Sequence, residues 1–141
     1  MRVPVQIYVQ NKIFQNQTEE ERIEFYTTGE FFKKQHTFYL VYDEIQDDET
    51  VKTLIKISEK ETTLIRSGGI RLRQRFKQGQ KTYANYETPY GTLKLAAETK
   101  SLIWHTDEEK HGTLSIEYLL EINGDTPRLH SLSIQFKKEE H

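Results

Sequence analysis

The sequence predicts an all-β protein, a single antiparallel meander β-barrel of about eight to ten strands. The first observation is an alternation of apolar and polar residues that recurs along the chain. It is clearest from Ile70 to Lys77, where every second residue is basic and three of the four residues between them are apolar. This period suits a strand with one buried and one solvated face. The second observation is the frequent recurrence of turn residues between these runs, which joins neighbouring strands into hairpins.

The alternation places the strands along the chain in order. In the first strand, Val3, Val5, Ile7 and Val9 occupy one face and polar residues occupy most of the other. Residues 92–97 and 102–106 fit either one long bent strand or two short ones. The predicted strands are residues 3–10, 22–33, 37–44, 51–58, 61–66, 70–77, 81–86, 92–97 with 102–106, 113–122 and 129–136.

Turn residues justify the connections. Asn123-Gly124 and Gly68-Gly69 are typical of hairpin turns, since such turns need a positive φ. Thr88-Pro89-Tyr90-Gly91 places proline and glycine where a β-turn favours them. Residues 15–21 are polar and predict a connection, in which Thr18 and Glu21 have the spacing of a helix capping box and allow one helical turn. Gly29 predicts a bulge or bend within the second strand.

Closure into a barrel is favoured because consecutive short strands must remove their exposed edges. A two-sheet sandwich is the alternative, but the long crossovers that it commonly uses are not visible in the sequence. A barrel of about eight strands has room for its own side chains or for one small ligand. We expect residues 1–141 to form one domain, with residues 137–141 as a frayed tail.

Composition excludes several classes of function. The 141 residues include 20 Lys and Arg against 22 Asp and Glu, a net charge of −2, so nothing draws the whole protein towards nucleic acid. The chain has no cysteine, which excludes disulfides and thiolate metal sites. It also has no apolar run of the length that a membrane-spanning helix or a signal peptide needs. We therefore expect a cytoplasmic protein that does not associate with membranes.

Three motifs carry a resemblance to a known family. They are residues 39–44 (YLVYDE), 64–69 (LIRSGG) and 86–91 (YETPYG), followed by the run 114–120 (LSIEYLL). In order and spacing they resemble the YwiB-like bacterial proteins, which are small cytoplasmic proteins of unknown function. The resemblance covers nearly the whole chain and implies a calycin-like, or lipocalin-like, β-barrel. It implies no activity.

Arg66 is the first candidate for a binding residue, and its direction depends on the length of one turn. If Gly68-Gly69 is a two-residue turn, Arg66 lies opposite Arg71 on the outer face. If Ser67-Gly68-Gly69 is a three-residue loop, Arg66 lies opposite Ile70 and points inward. An inward guanidinium needs a carboxylate, supplied either by a ligand or by the protein. Glu44 is a candidate internal partner that would close one end of the barrel.

Aromatic residues with a polar group are the next candidates. Tyr42, Tyr86 and Trp104 predict the walls of a ligand site together with Arg66 and Glu44, and Tyr83 and Tyr118 belong to the same class. The alternative is that these aromatic residues simply fill the core of a small barrel.

The basic residues of the sixth predicted strand form a ladder of Arg71, Arg73, Arg75 and Lys77. They suit either a solvated outer face or a patch for an acidic protein or a nucleic acid. Nucleic acid is the less favoured partner, because the ladder has no aromatic residue on its own face for base stacking.

No motif predicts a cofactor, a metal or a catalytic centre. The five histidines lack metal-binding spacing, and the acidic residues 43–49 lack the glycine of a calcium loop. His105 and Asp107 are close enough in sequence to form a base and its orienting group, but no nucleophile accompanies them. The leading hypothesis is therefore a non-catalytic barrel that binds a small apolar or amphipathic anionic ligand in or at its mouth. The sequence leaves its oligomeric state and the ligand open.

Overall fold

The computed structural model describes residues 2–107 and 111–139. Ten antiparallel strands follow one another around a closed barrel, and β1 completes the circle by pairing with both β2 and β10. The strands are β1 (Val3–Gln15), β2 (Thr18–Lys34), β3 (Thr37–Gln46), β4 (Glu49–Ile57), β5 (Thr62–Ser67), β6 (Arg71–Phe76), β7 (Lys81–Thr88), β8 (Gly91–Thr106), β9 (Gly112–Ile122) and β10 (Arg128–Lys138). The all-β barrel predicted from the sequence is confirmed, and no described segment forms a helix that could span a membrane.

The core follows directly from the alternation. Val5, Ile7, Leu40, Ile116 and Ile134 occupy alternate positions of their strands and are at most 1% exposed. Burial of each such side chain contributes about 2 kcal/mol to folding. The intervening residues of β1 and β9 lie on the outer surface, so one period-two pattern determines both faces of the wall.

The predicted helical turn at Thr18–Glu21 is wrong. β1 continues to Gln15, which pairs directly with Thr18 across a two-residue hairpin turn. The turn residues Asn16 and Gln17 have φ values of 52° and 66°, and Asn in particular tolerates this left-handed conformation. The polar composition of residues 15–21 reflects an exposed hairpin tip rather than a separate connection.

The predicted bulge at Gly29 is also wrong. Gly29 lies in regular register between Val5 and Tyr42, and the irregularities occur instead at Ile13/Phe14 and Thr99/Ser101. Glycine is needed at position 29 for space. A Cβ atom there would lie 2.1 Å from the carbonyl oxygen of Val41.

Two further boundaries differ from the expected ones. β8 is one long strand that bends at Thr99/Ser101, which decides between the two alternatives that the sequence left open. The predicted frayed tail is shorter, because β10 continues to Lys138 and the Glu139 amide donates to the Pro4 carbonyl at 3.0 Å. Residues 140–141 of that tail, and residues 108–110 of the loop before β9, lie outside the described residues.

The hydrogen-bond ladders around the barrel are uneven. β2 and β3 pair only from Gly29 to Lys34 with Thr37 to Tyr42, although β2 begins eleven residues earlier. Within residues 71–88, all of which are described, β6 and β7 are laddered at the single pair Arg71 and Glu87. The wall formed by β3, β4, β5 and β6 is therefore joined to β7 by a single ladder pair, and to β2 along only part of the length of β2. We call the β6–β7 boundary the open seam.

Candidate functional site

Arg66 points into the barrel, and the turn that directs it differs from both predicted forms. The loop comprises Gly68, Gly69 and Ile70, so that Ser67 pairs with Arg71 and Arg66 pairs with Leu72. Leu72 is buried, and paired residues of adjacent strands share a face of the sheet. The inward orientation therefore results from a loop placed one residue later than the predicted three-residue loop.

Inside the barrel, Arg66 bridges two other strands. Its Nη2 donates to Glu44 Oε1 at 3.0 Å and its Nη1 donates to the Tyr86 hydroxyl at 3.3 Å. The same carboxylate oxygen of Glu44 accepts a hydrogen bond from Thr53 Oγ1 at 3.2 Å. The side chains of Arg66 and Glu44 are 15% and 18% exposed, so the ion pair is sheltered but reaches solvent. We call Glu44, Thr53, Arg66 and Tyr86 the polar cluster.

Tyr42 lies deeper on the same wall and is 5% exposed. Burial, followed by the negative charge of Glu44, raises the pKa of the Tyr42 hydroxyl well above its ordinary value. Tyr42 is therefore a neutral hydroxyl throughout the physiological pH range. Its ring faces Phe25 of β2 at a centroid distance of 6.2 Å, next to the stretch where β2 and β3 are no longer paired.

Several inward polar atoms of the described residues have no hydrogen-bond partner. Gln74 is 3% exposed, and Thr62 and Thr99 are at most 1% exposed, yet each has an unpaired side-chain oxygen. Buried polar atoms in folded proteins nearly always have partners, so these atoms are candidates for contact with water or with a ligand. The unpaired atoms are Asn11 Oδ1, Thr62 Oγ1, Arg66 Nε, Gln74 Oε1 and Thr99 Oγ1.

Side chains replace the missing backbone ladder at the open seam. The Thr82 hydroxyl donates to the Arg75 carbonyl at 2.5 Å, and Gln74 Nε2 donates to Thr82 Oγ1 at 3.1 Å. The side-chain nitrogen of Gln74 thus bonds to β7 across the open seam, whereas its side-chain oxygen has no partner. Bonds of this kind can be remade around a ligand more easily than a continuous ladder can.

Trp104 does not join the other predicted site residues. Its ring packs among Phe31, Phe38 and Phe136 at centroid distances of 5.3 to 6.3 Å. On β3, Phe38 is six residues from Glu44, which is about 20 Å of extended strand. Trp104 therefore belongs to a group at the other end of the barrel, made of Phe31, Phe38, Trp104 and Phe136, which we call the aromatic cluster.

The remaining predicted aromatic residues divide between the core and the surface. Tyr118 is buried and its ring stacks on His130 at 5.1 Å. Burial, with a smaller contribution from Arg128, lowers the pKa of His130 to about 4, so this imidazole is neutral at physiological pH. Tyr83 is 74% exposed on the outer face of β7, so it does not line the interior.

Arg71, Arg73 and Arg75 of the basic ladder are exposed on the outer face of β6, and Lys77 lies just beyond the end of that strand. Arg71 pairs in register with Glu87, and Arg75 forms an ion pair with Glu61. Arg73 and Arg75 also line a cleft of about 510 Å³ that crosses β3, β4, β5 and β6. A larger open groove of about 890 Å³ lies over the outer faces of β1, β2 and β8–β10, where Tyr8 and Tyr26 form part of its wall. Neither concavity contains a residue of the polar cluster.

The described residues contain no group of three or more metal-ligating side chains. Asp107 accepts a hydrogen bond from the His111 amide at 2.9 Å, and its other oxygen lies 3.6 Å from His111 Nδ1. This arrangement orders the start of β9 on the outer surface. It is not the pairing of Asp107 with His105 that the sequence indicated.

Comparison with known proteins gives the family. Residues 7–134 match the model of a domain of unknown function, DUF1934. The chain belongs to the DUF1934 family. It is 37% identical over 138 residues to the uncharacterised β-barrel protein YwiB of Bacillus subtilis (strain 168), and the match covers 98% of this chain and 96% of YwiB. The crystal structure of the ywiB protein from B. subtilis superimposes with a TM-score of 0.88, covering 99% of this chain and 94% of that one.

Within this family member, sequence reasoning missed three inward polar residues. Thr53 interrupts the apolar positions of β4, Gln74 interrupts those of β6, and Thr82 stands opposite Gln74 across the open seam. The sequence signal that could have identified Thr53 and Gln74 is a polar residue within a series of apolar positions. A polar residue at a position whose period assigns it to the core has to be hydrogen-bonded inside the barrel.

Proposed function

We propose that this protein is a non-catalytic cytoplasmic binding module for a small amphipathic molecule with an anionic head, held at the polar cluster. The observation that carries the proposal is the unpaired Nε of Arg66, a sheltered donor on a charged group. Leaving such a donor without an acceptor is costly, and a ligand oxygen would satisfy it. The calycin-like barrel that the family resemblance implies is consistent with this use of the interior.

The head group of the ligand would bind the donor groups of the polar cluster that Glu44 does not use. Glu44 engages only Nη2 of Arg66, through the oxygen that also accepts from Thr53. A ligand carboxylate could therefore bind Nε of Arg66 and accept from the Tyr86 hydroxyl, in the geometry that guanidinium groups favour. The charges of Arg66 and Glu44 cancel. An anionic head group would therefore bring one negative charge that this ion pair does not balance.

The body of the ligand would lie against apolar side chains of the same wall. Leu72 pairs in register with Arg66 across the β5–β6 ladder. Tyr42 and Phe25 lie next to the stretch where β2 and β3 are not paired. Contact with apolar and aromatic side chains supplies most of the affinity in sites of this kind. The open seam, whose bonds are made by side chains, is the natural route of entry.

The first experiment is native mass spectrometry of the protein purified from its own source, followed by titration with long-chain fatty acids and with the anionic dye ANS. We expect binding that weakens at least tenfold in Arg66→Lys, which keeps the charge but loses the fork, and several-fold in Tyr86→Phe. Arg128→Lys is the matched control, since Arg128 is half-exposed at the start of β10 and is not part of the polar cluster. Equal affinity in the Arg66→Lys and Arg128→Lys proteins would overturn the proposal.

A second variant tests the charge of the head group. Glu44→Gln removes the negative charge next to Arg66 and keeps a similar shape. An anionic ligand should then bind several-fold more tightly. Weaker binding would show that the head is cationic or donates hydrogen bonds to Glu44.

A further inference from the structure

We propose that the outer face of β3–β6 carries a second binding site, for a nucleoside phosphate. This site lies on the opposite face of the wall from the polar cluster, so it is independent of the function proposed above. It occupies the 510 Å³ cleft, whose lining includes the cations Lys56, Arg73 and Arg75 and the hydroxyl of Thr63.

The register of the sheet brings these groups to one point. Lys56 of β4, Thr63 of β5 and Arg75 of β6 form one row across three adjacent strands. The outer strands of that row are about 10 Å apart, and Arg73 lies about 7 Å from Arg75 along β6. The long side chains of Lys56, Arg73 and Arg75 can therefore converge above the short side chain of Thr63. A phosphoryl group placed there would meet charged donors from two sides and a hydroxyl beneath it.

The charges in the cleft favour an anion. Among the described residues, Arg75 has an ion-pair partner, Glu61, whereas no carboxylate lies within ion-pair distance of Lys56 or Arg73. Arg75 and nearby cations hold the pKa of the Glu61 carboxyl below its ordinary value, so Glu61 is ionised. The cleft thus holds three cations and one carboxylate, in a protein whose net charge is −2. Arginine forks and a lysine are the donors that phosphoryl oxygens favour.

An aromatic pair in the same row points to the rest of the ligand. Tyr39 of β3 pairs in register with Lys56, and its ring stacks on Phe32 of β2 at 4.8 Å with an interplanar angle of 7°. Tyr39 lies two strands from Thr63, or about 10 Å. A base that contacts Tyr39 would therefore carry a phosphate to the cleft. A long polyanion is disfavoured, because Glu61 and Glu87 lie at either end of the basic ladder.

The test is isothermal titration calorimetry with adenosine diphosphate, uridine diphosphate and inorganic pyrophosphate, in magnesium-free buffer of low ionic strength. We expect nucleoside diphosphates to bind, and Arg73→Ala and Lys56→Ala each to weaken binding about tenfold. Tyr39→Leu should weaken the nucleotides but leave pyrophosphate unchanged. Glu61→Gln should strengthen binding several-fold, because it releases Arg75 and removes the repelling charge.

Two controls keep the outcome decisive. Arg128→Ala removes an exposed arginine that also has a carboxylate neighbour, Glu20 at 3.9 Å, and it should change nothing. Circular dichroism of each variant establishes that it is folded. Affinity unchanged by Arg73→Ala, weaker binding in Glu61→Gln, or binding of an RNA oligonucleotide but not of nucleoside diphosphates would each overturn the proposal.

Discussion

The aromatic cluster and the polar cluster lie at opposite ends of the barrel, and their side chains find partners in different ways. At the aromatic end, Phe31 and Phe136 lie 4.5 Å apart and Phe38 and Trp104 lie 5.3 Å apart, so the rings cover one another. At the polar end, Arg66 has three donor nitrogens and the protein supplies partners for two of them. The rings of the aromatic end contact one another, whereas at the polar end the Nε of Arg66 has no partner in the protein.

Because of this contrast, we expect the aromatic cluster to contribute mainly to stability and the polar cluster mainly to ligand binding. Apolar contacts contribute in proportion to the area that they remove from water, so the aromatic cluster needs only close packing. Hydrogen-bonding groups are different, since an unpaired buried group costs about 1–3 kcal/mol until something bonds to it. Substitutions at the two ends should therefore change different measurements.

The largest effect is expected at the aromatic end. Phe136→Ala removes a ring that is 4% exposed and in contact with two other rings, and should lower the free energy of unfolding by about 3–5 kcal/mol. Urea unfolding followed by circular dichroism measures it. Ile103→Ala, at a residue that is 61% exposed, is the control and should cost less than 1 kcal/mol. Similar losses in both variants would contradict the assignment of this cluster to the core.

Arg66→Ala should come next, with a loss of about 3 kcal/mol, because it leaves the sheltered Glu44 carboxylate without its cation. The value lies at the low end for broken buried pairs, since both side chains retain some solvent contact. Double replacement of Arg66 and Glu44 by methionine should recover most of the loss. A double variant no more stable than Arg66→Ala would refute this account of the ion pair.

Acid should destabilise the protein through His130. The folded chain keeps this imidazole neutral to about pH 4, whereas the unfolded chain protonates it near pH 6.5. Between these values the unfolded state binds more protons, so the free energy of unfolding falls as the pH falls, by about 3 kcal/mol in all. Urea unfolding at neutral pH and near pH 4.5 measures the difference. His130→Phe keeps a ring next to Tyr118 and should reduce that dependence, and an equal pH dependence would exclude His130 as its source.

The smallest effect on stability, and the sharpest test of the contrast, is expected for Gln74→Leu. The substitution deletes one unpaired oxygen and the amide bonds to Thr82 and Arg75, terms that nearly cancel to within about 1 kcal/mol. Ligand affinity at the polar cluster should nevertheless fall, since an inward hydrogen-bonding group is lost. A loss above 3 kcal/mol in urea unfolding would make Gln74 a structural residue instead.

Most strands were predictable because burial of one face imposes a period of two on the residues that line the core. The alternation located the core strands from Val3 to Phe136 in order, and the turn at Asn123-Gly124 was recognised from two residues. The hairpin turn at Asn16 and Gln17 was not predicted, because a hairpin tip beyond the core shows no apolar alternation. Gly29 was given the wrong role, since the close approach of the Val41 carbonyl depends on how two distant strands curve.

The candidate site was predictable residue by residue but not as an arrangement. Arg66, Glu44, Tyr42 and Tyr86 were predicted as site residues, with the direction of Arg66 left open, and the structure brings them to one end of the barrel. Trp104 was grouped with them wrongly, because alternation tells which face a residue occupies and not how far along the barrel axis it lies. That distance depends on strand register and tilt, which the sequence pattern does not contain.

The open seam has one more consequence, for the behaviour of neighbouring molecules in a crowded solution. Between Leu72 and Phe76 no ladder pair joins β6 to its neighbour β7. If the two strands separated, this part of β6 would become a free edge, and such an edge is a template for a strand of another chain. Arg71, Arg73 and Arg75 project from this same strand, so two copies that approached edge to edge would bring six cations together. Repulsion between these arginines would therefore oppose edge-to-edge aggregation, whether or not the same side chains bind a ligand.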